Sequence, residues 1–161
     1  MKHKAIFLAS AAAAALATMA ALGQQPAAEA GVKGVTFLGE PVSADDIANG
    51  QRLYAETCAS CHGINLDGQP NWKRRLDNGR MPAPPHDETG HTWHHADADL
   101  FTVTKLGVSA VVADYESDMP AFEGVLTDEE IQAVLAFIKS RWPEKQRTIQ
   151  TRITTNREGK P

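Results

Sequence analysis

The sequence predicts an all-α domain, and three observations carry that prediction. Ser43 followed by Asp46, and Thr127 followed by Glu130, are side-chain caps of the kind that open helices. Ile131, Val134, Leu135 and Ile138 recur at the i, i+3, i+4, i+7 spacing of an apolar helical stripe. No stretch reads as a strong strand, and no segment repeats. With 161 residues the chain is long enough for one small domain with appendages.

The first appendage is an export signal over residues 1–23. Lys2 and Lys4 supply a positive start, Ala5 to Leu22 an apolar run, and Ala21-Leu22-Gly23 the small residues a signal peptidase requires. Ala28-Glu29-Ala30 is a second cleavage candidate. The run is borderline for spanning a bilayer, so an uncleaved signal would act as a membrane anchor. Neither a twin arginine nor a lipobox cysteine is present, which favours Sec-type export to a bacterial periplasm. Removing Lys2 and Lys4 takes the formal charge from −4 to −6. So acidic a protein is excluded as a nucleic-acid binder and favours partners with a basic docking face.

Residues 24–42, rich in Ala, Gly and Pro, read as a flexible lead-in. Ser43 then caps a helix over Ala44 to Thr57 with Ile47, Gly50, Leu53 and Tyr54 on one face. A mid-helix glycine costs about 1 kcal/mol relative to alanine, so Gly50 suggests a close helix crossing.

Cys58-Ala59-Ser60-Cys61-His62 follows, and the chain is organised around it. Two thiols three positions apart, on one turn, can each add to one of the two vinyl groups of a haem. The imidazole directly after them then lies under the ring, where one nitrogen can bind iron. A redox dithiol would want a βαβ context, and a structural zinc a second pair of ligands. A plain disulfide would leave His62 without a role. These are the only two cysteines, and haem attachment uses both.

Gly63 to Pro70 is turn chemistry that ends the helix, and Asn71 to Arg80 has room for one helical turn around Trp72. Met81-Pro82-Ala83-Pro84-Pro85 must be extended. Such a wall beside a haem can offer a carbonyl to the far nitrogen of His62, and Pro84 is the candidate; a plain rigid loop is the alternative. Past His86 comes the segment Gly90 to His95 with its three histidines. Asp97 is placed to cap a helix ending at Gly107. A loop from Val108 leads to Asp118-Met119-Pro120-Ala121-Phe122, and the Thr127 box opens the clearest helix, which Pro143 ends. Residues 143–161 are basic without apolar periodicity and read as a mobile tail.

An iron bound by His62 needs a sixth ligand or an open site. Met119 is the leading candidate, since its neighbours Asp118 and Pro120 do not belong to a core stripe. Met81, also before a proline, is the direct rival. His91, His94 and His95 would instead make a bis-histidine haem, or bind copper or zinc on their own.

The CASCH motif, the capped helix before it with Gly50 and Tyr54, the Met119-Pro120-Ala121-Phe122 loop and the closing helix with Val134 to Lys139 together resemble a class I monohaem c-type cytochrome, over Ser43 to Trp142. The resemblance implies three to five helices around one covalently bound haem c, with the N- and C-terminal helices crossing near Gly50, Tyr54 and Phe137. It also implies His62/Met119 ligation and one-electron transfer in a bacterial periplasm. The expected protein is therefore a monomeric electron carrier rather than an enzyme. Its expected donor is a quinol-oxidising complex or a dehydrogenase, and its acceptor an oxidase. The alternatives are a haem enzyme or sensor with an open sixth site, and a metal-handling protein using His91, His94 and His95. If both thiols are consumed in thioether bonds, the haem should survive denaturation and acid–acetone extraction. Haem that washes out, or thiols that titrate freely, would contradict attachment.

Overall fold

The computed structural model describes residues 34–159; the expected signal at 1–23 and the lead-in as far as residue 33 lie outside the described residues. Five α-helices make up nearly all the regular structure: α1 (Ala44–Thr57), α2 (Ala59–His62), α3 (Asp97–Leu106), α4 (Asp128–Arg141) and α5 (Glu144–Glu158). Two 3₁₀ turns, Thr92–His94 and Val108–Ala110, flank α3. Strands β1 (Thr36–Phe37) and β2 (Glu40–Pro41) pair antiparallel as a minimal hairpin. Among the described residues no helix is long and apolar enough to cross a membrane.

Both capping boxes form. Ser43 Oγ accepts from Asp46 N at 3.1 Å while Asp46 accepts from Ser43 N at 3.1 Å. Thr127 and Glu130 exchange the same pair of bonds at 3.2 and 2.9 Å. Each box satisfies amide donors that a helix start otherwise leaves unpaired. The apolar stripe of α4 buries Ile131, Val134, Leu135 and Ile138, each worth roughly 1.5–3 kcal/mol of transfer free energy.

The N-terminal and closing helices cross as expected, and the crossing pair is α1 and α4. A Cβ on Gly50 would sit 2.0 Å from Ala133 O and 3.0 Å from Phe137 Cβ, so only glycine allows this approach. Tyr54 lies beside the crossing, its ring 5.5 Å from that of Phe137.

Four details differ from expectation. The lead-in is partly ordered: Val35, Phe37 and Val42 are buried in the main core, and β1 packs on α4. Asn71 to Arg80 forms no helix, only turns such as Arg74 N–H to Asn71 O at 2.7 Å; Asn71 starts it with a left-handed φ of 57°. Asp97 is not the cap of α3. Ala96 occupies that position, and Asp97, 1% exposed, turns its carboxylate inward to Lys139 Nζ at 3.0 and 3.1 Å. The stretch after Pro143 is not a mobile tail but helix α5, which lies along the Thr92–His94 turn.

The last two differences share a cause. Gln150 Nε2 donates to Asp97 Oδ1 (2.6 Å) and His95 O (3.2 Å), and Thr154 Oγ1 accepts from Asp97 N (3.1 Å). Leu38 N donates to the other Asp97 oxygen at 3.0 Å. What docks α5 is thus polar, and a search for apolar periodicity passes over it. Removing one member of a buried ion pair leaves the other charge unpaired. Lys139→Met should therefore lower unfolding free energy by about 3–5 kcal/mol in urea denaturation of the holoprotein. A loss below 1 kcal/mol would contradict the role given to the pair.

Candidate functional site

Helix α1 hands directly to the cysteine turn. Cys58 N donates to Tyr54 O at 2.9 Å as α1 ends, and His62 N donates to Cys58 O at 3.0 Å to close α2. Residues three apart share a helix face. Cys58, half-buried, and Cys61, exposed, are both free thiols and line one cavity of about 590 Å³. Burial pushes the Cys58 thiol up, against the lowering effect of its hydrogen bond with Thr57 (3.3 Å). A raised thiol disfavours the thiolate that redox chemistry at Cys58 would use.

His62 is buried at 7% exposure. The proline segment reaches it because Gly68, at φ 68°, lets two backbones touch. A Cβ there would stand 2.5 Å from Pro85 N and 2.6 Å from Pro84 C. Gln69 holds Ala83 from both sides: its N–H donates to Ala83 O at 2.9 Å and its Oε1 accepts from Ala83 N at 2.8 Å. With the segment fixed, His62 Nδ1 lies 2.9 Å from Pro84 O. A carbonyl only accepts, so Nδ1 carries the proton and Nε2 keeps its lone pair. Burial lowers the pKa of His62, with the Pro84 carbonyl opposing, and the ring stays neutral at pH 7.

Met119 comes to the same cavity from the far end of the sequence. Its N–H donates to Ser117 Oγ at 3.1 Å. Its loop is tied to α3 by Phe122 N to Thr104 O (3.1 Å) and Glu123 N to Lys105 O (2.9 Å). Outside, Arg80 pairs with Asp118 and lies 3.9 Å from Glu116. Met81 lines the cavity too, one residue after that arginine.

The three histidines of the 91–95 segment are all exposed; His91 and His95 line the cavity and His94 does not. His91 stacks on Trp72 (centroids 5.4 Å, 12°) and meets His95 edge-on at 5.4 Å, while His94 stacks on Trp93 at 3.7 Å. Among the described residues no three His, Cys, Asp or Glu side chains group as metal ligands. Sequence reasoning gave no role to Arg80, which clasps the Met119 loop, or to His86, whose ring lies against His62 at 3.9 Å. Surface charge and a solitary histidine carry no periodic signal, so nothing in the one-dimensional pattern marks either.

The walls of the cavity are apolar, from Leu100, Val103, Val134, Leu135 and Ile138, and its size is that of a cofactor site. Its donors are two thiols on one turn and a neutral imidazole with a free Nε2, and these fit a haem bound through CxxCH. The model of the family described as cytochrome c matches residues 47–142, from the first turn of α1 to the end of α4. The chain belongs to the cytochrome c family.

This cytochrome carries a covalently attached haem c, and its work is haem-based electron transfer with redox proteins as partners. It is 29% identical over 109 residues to a protein of Synechocystis sp. described as cytochrome c6, an alignment covering 65% of this chain and 73% of that relative. No solved structure matches it. Helix α5 lies beyond the family match. Because His91, His94 and His95 do not group as metal ligands among the described residues, an expected outcome follows. Holoprotein exposed to Cu²⁺ and then dialysed should retain no more copper, by elemental analysis, than the variant with all three changed to Gln. Stoichiometric copper held only by the wild type would establish a second metal centre.

Proposed function

We propose that the protein is a one-electron carrier in which Cys58 and Cys61 would hold the haem by thioether bonds and His62 and Met119 would bind its iron. The observation that carries this reading is a single cavity lined by both thiols, the neutral His62 and Met119, which come from stretches far apart in the chain. Bound there, haem c supplies a one-electron iron couple. The protein's own groups do the rest. The Pro84 carbonyl holds the proton of His62 on Nδ1 and turns Nε2 toward the cavity. The apolar walls exclude water, and the Met119 loop offers a soft neutral thioether. Such a donor favours ferrous over ferric iron and raises the potential relative to a second imidazole.

A filled sixth position suits a carrier, where an enzyme or gas sensor needs an open one. The export signal read at residues 1–23 supports a periplasmic location, and the acidic mature chain a partner with a basic docking face. On this reading a quinol-oxidising complex or a dehydrogenase gives the electron and an oxidase takes it.

Three variants test the ligand assignment. Met119→His should stay low-spin while its midpoint potential falls by on the order of 100 mV or more, within the ~0.8 V range that axial ligands command. Met119→Ala should bind carbon monoxide readily in the ferrous form. Met81→Leu should do neither. A far-red sulfur-to-iron band lost in Met81→Leu and kept in Met119→Ala would transfer the role to Met81.

A further inference from the structure

Besides His62, the cavity is lined by His86, which is half-buried where His91 and His95 are exposed. Its backbone is fixed at both ends: N–H donates to Leu66 O at 2.7 Å, and its carbonyl accepts from Trp142 Nε1 at 2.7 Å. So fixed, the ring has little freedom. It stacks on His62, centroids 3.9 Å apart and planes 18° from parallel. Behind it stands Tyr54, edge-on at 5.9 Å and 62°, itself held by a hydrogen bond to Gly63 O at 2.9 Å. The Nδ1 of His86 is shut off from solvent and has no hydrogen-bond partner among the described residues. Leaving a buried polar atom unpaired is a cost that leucine or phenylalanine in the same space would avoid.

We propose that His86 is a positioning residue for the proximal ligand, its ring setting the plane in which the His62 imidazole meets the iron. The inference rests on His62 being that ligand. The hydrogen bond to Pro84 O fixes one edge of the His62 ring but leaves it free to rock about the bond. A flat ring stacked against one face removes that second freedom, and the Pro84–His86 segment supplies both constraints from residues two apart.

Two measurements on the holoprotein test this. In the ferrous wild type, which is diamagnetic, proton NMR should show the His62 ring protons shifted by the haem ring current and in through-space contact with those of His86. Shifted protons without that contact would overturn the positioning role alone, and unshifted protons would overturn the ligation on which it rests. In the ferric state, His86→Leu should change the EPR g-values and broaden them, as the ligand plane spreads over several orientations. His86→Phe, which keeps a flat ring and removes the polar atoms, should restore the narrow wild-type signal. Wild-type g-values in His86→Leu, or a Phe variant indistinguishable from Leu, would refute the proposal, and the NMR contact decides it if neither variant folds.

Discussion

Helices α1 and α4 meet at Gly50 with no space between them, since a methyl group there would fall 2.0 Å from a carbonyl oxygen of α4. Close contact of two helices without a side chain between them fixes their angle and their offset together. The cysteine turn grows from the end of α1, and Val134, Leu135 and Ile138 of α4 form a cavity wall. The crossing therefore sets how far His62 stands from the apolar surface opposite. Widening it would move the ligand turn relative to the wall, even though Gly50 itself touches nothing in the cavity.

A second constraint is polar. Asp97 gathers bonds from Lys139 of α4, Gln150 of α5 and Leu38 of the hairpin. A buried carboxylate so completely satisfied ties three segments to the start of α3. Such an arrangement is a modest source of net stability but a strong source of specificity, because any other docking of α5 or the hairpin would cost Asp97 its bond from Gln150 or from Leu38. Through His95 O, which accepts from Gln150, the same cluster holds the rim of the cavity.

Much of this was legible in the sequence, for identifiable reasons. The CxxCH spacing is dictated by covalent chemistry, and the two capping boxes and the α4 stripe are local patterns that tertiary packing reinforced. The helix crossing could be read from Gly50, because a mid-helix glycine demands a reason. What escaped was nonlocal and polar. Helix α5 has no apolar stripe, and its docking depends on Gln150 and Thr154 finding Asp97, more than fifty positions away. Asp97 looked like a helix cap because that is the commoner use of an aspartate beside a helix start. His86 drew no notice because stacking against another histidine leaves no trace in residue order.

The clasp between Arg80 and the Asp118 loop gives the two sides of the cavity different resilience. Arg80, Asp118 and Glu116 are 39%, 55% and 79% exposed, so dissolved ions screen their attraction within about 8–10 Å at physiological salt, and it is worth only about 0–1 kcal/mol. His62, by contrast, is sheltered behind a part-buried hydrogen bond, a stacked ring and the proline wall. Under heat or concentrated salt the two sides should yield in sequence, the methionine loop first and the histidine turn much later. A partly unfastened form would thus keep its haem and its proximal half intact, and recovery would need only the return of one short loop.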